Sequence, residues 1–153
     1  YAVPVSYAYD GYKLYFHCAK SGHKIDAIRR NAKASFCVID QDLVVPEEYT
    51  SYFRSIIAFG TIRILEDSQE KREAIEKLAV KYAPDDNDAH RQAAIDRDWV
   101  PLCMLEMTIE HMTGKEAKEL IKEKDFGTVN EDDSFTSKIG NYKIEFEEIE
   151  GWE

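Results

Sequence analysis

The chain has 153 residues, 44% of them apolar, which suits one domain with a single core burying about two-thirds of the unfolded chain's surface. A formal net charge of −10 argues against nucleic acid as a partner, and no apolar run approaches the roughly 18 residues of a membrane span, so no membrane partner is expected either. Three widely spaced cysteines, Cys18, Cys37 and Cys103, form no C-x-x-C pair and, with no charged-then-apolar leader, fit a protein of the reducing cytoplasm.

In chain order, Ala2 to Tyr9 alternates as a strand does, and Asp10-Gly11 is a dipeptide favoured in two-residue hairpins, with Lys13 to His17 as the return strand. Ser21 or Gly22 opens a short helix carrying Ile25 and Ile28 and ending near Asn31, and Ala34 to Ile39 is the next strand. Asp40 to Tyr49, with Pro46 and several acidic residues, reads as a loop. Ser51 to Leu65 reads as a long strand in which Gly60 marks a bulge or a close backbone approach.

Asp67 followed by Glu70 resembles a capping box, and Ala74, Ile75, Leu78, Ala79 and Tyr82 form the apolar stripe of a helix that stops before Pro84. Asp85 to Arg97 is polar and reads as a loop or a marginal helix. Val100 to Met112 alternates, with Leu105, Met107 and Ile109 on one side and Glu106, Thr108 and Glu110 on the other. Met104 and Met107 fall on opposite parities and read as core or interface filling. Lys115 to Lys124 suits a terminal helix, Glu131-Asp132-Asp133 a linker, and Lys143 to Ile149 an added edge strand. Five or more strands with inserted helices point to a mainly β (α+β) fold, an antiparallel barrel with peripheral helices, with an open α+β sheet as the alternative. The expected organisation is a domain over 1–124 and an acidic C-terminal extension over 125–153.

The stretch that carries most chemistry runs from Tyr12 to Lys24, where a strand enters a polar, glycine-broken turn and then a helix. Backbone N–H groups, a hydroxyl and an ammonium can converge there on one phosphate, because a helix start leaves its first amides unpaired and partially positive. The charge distribution allows this. From Glu116 onward 12 acidic residues stand against 5 basic ones, which leaves a net of only −3 for residues 1–115. A basic pocket of Lys20, Lys24, Arg29 and Arg30 is compatible with that balance, although a solvated helix face accounts for the two arginines as well. Lys24 could be a solvated first-turn lysine, but a cation there opposes the helix dipole unless an anion offsets it. Ser21 can cap the helix and bind an anion at once.

His17, Cys18 and His23 are too few for a closed zinc site, and no metal site is expected. Tyr7, Tyr9, Tyr12 and Tyr15 make an aromatic hairpin, mostly for packing, with one or two suited to stack on a planar ring. No Ser/His/Asp constellation, Walker-type loop, H-E-x-x-H or paired-carboxylate signature is present, which disfavours a hydrolase.

Five short motifs in order carry a resemblance: Tyr1-x-Val3-Pro4-Val5-Ser6-Tyr7, Leu14-Tyr15-Phe16-His17-Cys18-Ala19, Gly22-x-Lys24-Ile25-Asp26, Tyr52-x-x-Ser55-x-x-x-x-Gly60 and His111-Met112-Thr113-Gly114-Lys115. Over about residues 1–120 the chain resembles the 5-nitroimidazole-resistance (Nim) family, within the pyridoxamine 5′-phosphate oxidase-like flavoproteins. The resemblance implies an antiparallel split β-barrel and a homodimer with FMN at its interface. The usual N-terminal helix and first strand of such proteins have no counterpart in this sequence. It implies that Pro4, Val5 and Ser6 run along the flavin ring and that His17, Cys18 and Ala19 lie by the ribityl chain and phosphate. Ser21 and Lys24 would bind the phosphate, with Tyr52 and Ser55 completing the groove from either subunit.

Read by itself, His17 is a satisfied sheet histidine; the resemblance makes it the catalytic candidate, contacting a small carboxylate or the substrate, which suits a residue able to change charge near neutral pH. The implied activity is an FMN-dependent oxidoreductase that reduces a small planar acceptor such as a nitroaromatic with NAD(P)H. A non-catalytic or sensory binder of flavin, haem or deazaflavin on the same barrel is the alternative. The end Gly151-Trp152-Glu153 lacks the arginine-bearing terminus of true pyridoxamine phosphate oxidases, which disfavours that reaction.

Overall fold

The computed structural model describes residues 1–120. Its elements in order are β1 (Tyr7–Tyr9), β2 (Lys13–Ala19), α1 (His23–Arg30), β3 (Lys33–Val45), a 3-10 turn (Pro46–Glu48), β4 (Thr50–Leu65), α2 (Ser68–Tyr82), α3 (Asp88–Asp98) and β5 (Leu102–Glu116). The five strands form one antiparallel sheet in the order β1-β2-β5-β4-β3, the mainly β, split-barrel class with peripheral helices that the sequence implies. The expected linker at Glu131-Asp132-Asp133, the edge strand from Lys143 to Ile149 and the whole 125–153 extension lie outside the described residues. No helix among the described residues is long and apolar enough to cross a membrane.

The described chain divides into two compact units, the first made of Tyr1–Ala34 and Gly60–Ile109, the second of Ser35–Phe59 and the residues from Glu110 onward. In the first unit, Ala8, Tyr15, Leu65, Ala74, Leu78 and Met104 form a buried cluster, with Ile75 and Leu102 packed against it. Ala74, Ile75 and Leu78 of the helix stripe read from the sequence thus face the β1–β2 hairpin and β5, whereas Tyr82 at its end is exposed. Met104 and Met107 are both core residues, since Cys103 to Met107 are buried at every position of a strand that lies between β2 and β4. Glu106 is tolerated among them because its Oε1 accepts from Lys13 Nζ at 3.0 Å and Arg63 Nε at 2.8 Å.

Several elements differ from expectation. β1 is confined to Tyr7–Tyr9 instead of running from Ala2, and α2 takes up the backbone at its start. Tyr7 N donates to Tyr82 Oη at 3.0 Å and Tyr7 O accepts from Lys81 Nζ at 2.9 Å. The hairpin turns on Gly11 and Tyr12, not on Asp10-Gly11: Tyr9 pairs with Leu14, Asp10 N donates to Lys13 O, and the Asp10 carboxylate accepts from the amides of Tyr12 and Lys13. Gly11 has φ 98°, a region that favours glycine.

β3 continues through the expected loop to Val45, where the acidic Asp40 is matched by Arg54 Nη1 at 3.3 Å from β4. Residues 88–98 form a full helix, capped by Asn87 and held to α2 by Arg72–Asp96, Arg91–Glu76 and Gln92–Glu76 contacts. Lys115 and Glu116 complete β5, and helix begins only at Lys118. Asp67 caps α2 as expected, accepting from the amides of Gln69 and Glu70. The Glu70 carboxylate instead pairs with Arg63.

Candidate functional site

α1 starts at Gly22, whose φ of 120° and ψ of 174° belong to glycine territory, and a Cβ there would meet nothing within 4 Å. The constraint is therefore backbone conformation and not space. The first helical bond runs from Asp26 N to Gly22 O at 3.1 Å, so the amides of His23, Lys24 and Ile25 have no acceptor within the helix, and no side chain caps them. Ser21 is exposed and Lys24 half-buried, and neither has a hydrogen bond or ion pair among the described residues. Asp26 is the acidic residue of this first turn.

β2 feeds the turn. His17 is exposed and faces Met104 of β5, Cys18 is half-buried opposite Cys103, and Ala19 is exposed opposite Leu102. Burial pushes the Cys18 thiol up to about 11, the Cys103 thiol adds to the shift, and Lys24 opposes it. The N-terminal segment lies beside the same strand end: the register pairs Tyr7 with Phe16, so Ser6 immediately precedes β1 where His17 continues β2. The Tyr1 ring meets the His23 ring edge-on at 4.5 Å between centroids. Pro4 and Ser6 are exposed and Val5 is half-buried.

Pro4, Val5, Ser6, His17, Cys18, Ala19, Ser21 and Lys24 thus all belong to the first unit, around the β2–α1 turn and the segment preceding β1. Tyr52 and Ser55 belong to the second unit, on β4, where Tyr52 Oη donates to Glu48 Oε2 at 2.6 Å and Ser55 is half-buried.

The two arginines of the expected basic group lie apart from the turn. Arg29 and Arg30 sit in the last turn of α1, about 10 Å of helix from its start, where they favour the dipole's negative end. Lys71 of α2 is a buried lysine that the sequence reading did not single out. Its ammonium is lowered in pKa first by burial and then by Lys20, and it donates to Trp99 O at 3.1 Å while lying 4.1 Å from the centre of the Trp99 ring. The clue in the sequence was spacing: Lys71 stands three residues before Ala74 and seven before Leu78, on the buried stripe. No group of three or more His, Cys, Asp or Glu suited to a metal comes together among the described residues.

The sequence profile of the family described as pyridoxamine 5′-phosphate oxidase matches residues 1–116. The chain belongs to the pyridoxamine 5′-phosphate oxidase family. Solved structures of similar fold include a candidate 5-nitroimidazole antibiotic resistance protein from Bacteroides thetaiotaomicron, 24% identical with a TM-score of 0.58, covering 74% of this chain and 67% of that one. A FAD-binding protein from Mesorhizobium loti is 22% identical with a TM-score of 0.51, covering 74% of this chain and 73% of that one. A FAD and haem binding protein from Mycobacterium smegmatis is 19% identical with a TM-score of 0.58, covering 80% and 65% respectively. At these identities the likeness is one of fold. No curated protein matches the chain.

Within this family fold, the β2–α1 turn combines unpaired amides, a hydroxyl and an ammonium at one strand end, an arrangement chemically suited to an anion.

Proposed function

We propose that the protein is an FMN-dependent oxidoreductase that reduces a small planar acceptor, such as a nitroaromatic, with NAD(P)H. The observation that carries this reading is the uncapped start of α1 beside Ser21 and Lys24, in a chain of a family whose fold is shared with flavin-binding proteins. The residues fit the group: a phosphate monoester would give an acceptor to the amides of His23, Lys24 and Ile25, to Ser21 Oγ and to Lys24 Nζ. Lys71, whose ammonium is disfavoured by burial and by Lys20, would gain from an anion nearby.

FMN, when bound, supplies the redox chemistry. The chain's own part is orientation and exclusion. Pro4, Val5 and Ser6 would lie along the ring with their backbone groups toward its polar edge, and His17, Cys18 and Ala19 would border the ribityl chain. His17 is exposed at the strand end and would hold or donate a proton at an imidazole nitrogen toward a bound acceptor. Few other side chains would be chemically essential.

The reading includes a homodimer. In the second unit Ile39, Leu43 and Val44 on β3, Tyr49 in the connection, and Ile57 and Phe59 on β4 are exposed apolar side chains, with Tyr49 98% exposed. β3 is an edge strand of 13 residues, and a long apolar edge is normally covered. A second copy of the chain is the proposed cover, with Tyr52 and Ser55 completing the flavin groove from one subunit or the other.

Haem binding without flavin reduction is the second reading, favoured by the named ligands of the Mycobacterium smegmatis neighbour. An absorption spectrum of the purified protein, followed by anaerobic addition of NADH or NADPH, separates the two. Flavin bands that bleach support the oxidoreductase; a Soret band, or a flavin that stays oxidised, contradicts it.

A further inference from the structure

The cysteines that look unrelated in sequence are neighbours in the sheet. Cys18 of β2 and Cys103 of β5 occupy the same antiparallel rung, one rung from the end of the pairing at Ala19 and Leu102. Directly opposed residues point to the same face, and their Cα atoms lie about 4.5 or 5.5 Å apart according to the type of rung, both within the span a disulfide bridges. Both cysteines are free, and Cys103 Sγ donates to Met104 O at 3.9 Å. Opposed Cβ atoms in a ladder are about 4.5–5.5 Å apart, slightly wider than a disulfide prefers, so closure requires the strands to draw together at this rung. A position next to the ladder's end allows that adjustment. Cys18 is half-buried and Cys103 buried, so Cys18 is the thiol more open to a small reagent.

We infer that Cys18 and Cys103 form a dithiol site that a small-molecule disulfide oxidises to a reversible cross-strand bond. Cys18 sulfur attacks one sulfur of the reagent, whose S–S bond breaks and releases one thiol, leaving a mixed disulfide on Cys18. Cys103 sulfur then attacks Cys18 sulfur and expels the second thiol. Two cysteine thiols are oxidised, the reagent is reduced to two thiols, and the two cysteine protons end on them. Because burial holds the Cys18 thiol protonated near neutrality, the first step should accelerate as pH rises. The inference rests on the β2–β5 register.

The test uses the full chain carrying Cys37→Ser, which removes the exposed third thiol, with oxidised glutathione as the probe. The expected product has lost both thiols and retains no glutathione, and its non-reduced tryptic digest joins peptide 14–20 to peptide 98–115. Dithiothreitol should reverse it. The bond closes a loop of roughly 85 residues, so Tm should rise by about 5 °C or more and fall back on reduction. Formation should be faster at pH 9 than at pH 7. With Cys103→Ala added, one glutathione should stay on Cys18. A wild-type-rung protein that keeps glutathione on Cys18 beside a free Cys103 would overturn the inference. So would two unreacted thiols in the folded chain that react readily once urea unfolds it.

Discussion

Asp10 Oδ2 accepts a 2.7 Å hydrogen bond from Tyr15 Oη and lies 3.0 Å from Lys77 Nζ, which ties the β1–β2 turn to α2 through a single carboxylate. Lys77 also lies 4.2 Å from the centre of the Tyr15 ring, so the three side chains form one compact cluster at the edge of the first unit's core.

This cluster makes stability depend on acid. Burial pushes the Asp10 carboxyl up, but hydrogen bonds from Tyr15, Lys77 and the amides of Lys13 and Tyr12 overcome it and lower the group from 3.8 to about 2. A carboxyl lowered on folding stabilises the native state fully above its unfolded value and loses that contribution as pH falls through the folded one. The loss should fall between about pH 4 and pH 2 and, with the group largely exposed and screened by solvent, amount to about 1 kcal/mol. Urea melts at stepped pH should show it, and Asp10→Asn should flatten that part of the profile.

Gly60 is held by contact, not by dihedral angle. A Cβ on it would come within 1.9 Å of Thr108 O, a backbone atom of the neighbouring strand β5, so the strands must part to admit it. Gly60→Ala should cost about 3 kcal/mol or more, read as a lower urea midpoint with an unchanged m-value.

The Asp67 cap gives a milder case. Its Oδ1 accepts from Gln69 N and Glu70 N, both at 2.9 Å. Asp67→Ala should lower stability by about 1 kcal/mol, and Asp67→Ser should recover most of the loss.

How much of this was legible in the sequence follows from whether a signal is local. The Gly22 start and Asn31 end of α1, the Asp67 cap and the close approach at Gly60 are written in neighbouring residues and were readable. Asp40 looked like loop because its partner, Arg54, is on another strand, and α3 looked marginal because Arg72 and Glu76 on α2 hold it. Lys71 was hidden by its charge although its spacing was apolar, and Cys103 by sequence distance from Cys18. Tyr52 and Ser55 rest on the resemblance alone.

His17 separates chemistry from binding. With its ring exposed at the end of β2, His17→Gln should leave flavin content unchanged while lowering kcat/KM for a nitroaromatic about tenfold or more, measured in anaerobic steady-state assays. An equal loss of flavin would make it a positioning residue for the cofactor.

The central claim is that the β2–α1 turn holds the phosphate of a bound flavin, and calorimetric titration of the flavin-free protein with FMN and with riboflavin tests it most directly. The account predicts FMN binding at least tenfold tighter than riboflavin, with Lys24→Ala removing most of that difference, since a charge-assisted contact is worth about 1.5–3 kcal/mol. Equal affinities for the two flavins, or a preference that Lys24→Ala leaves intact, would contradict it.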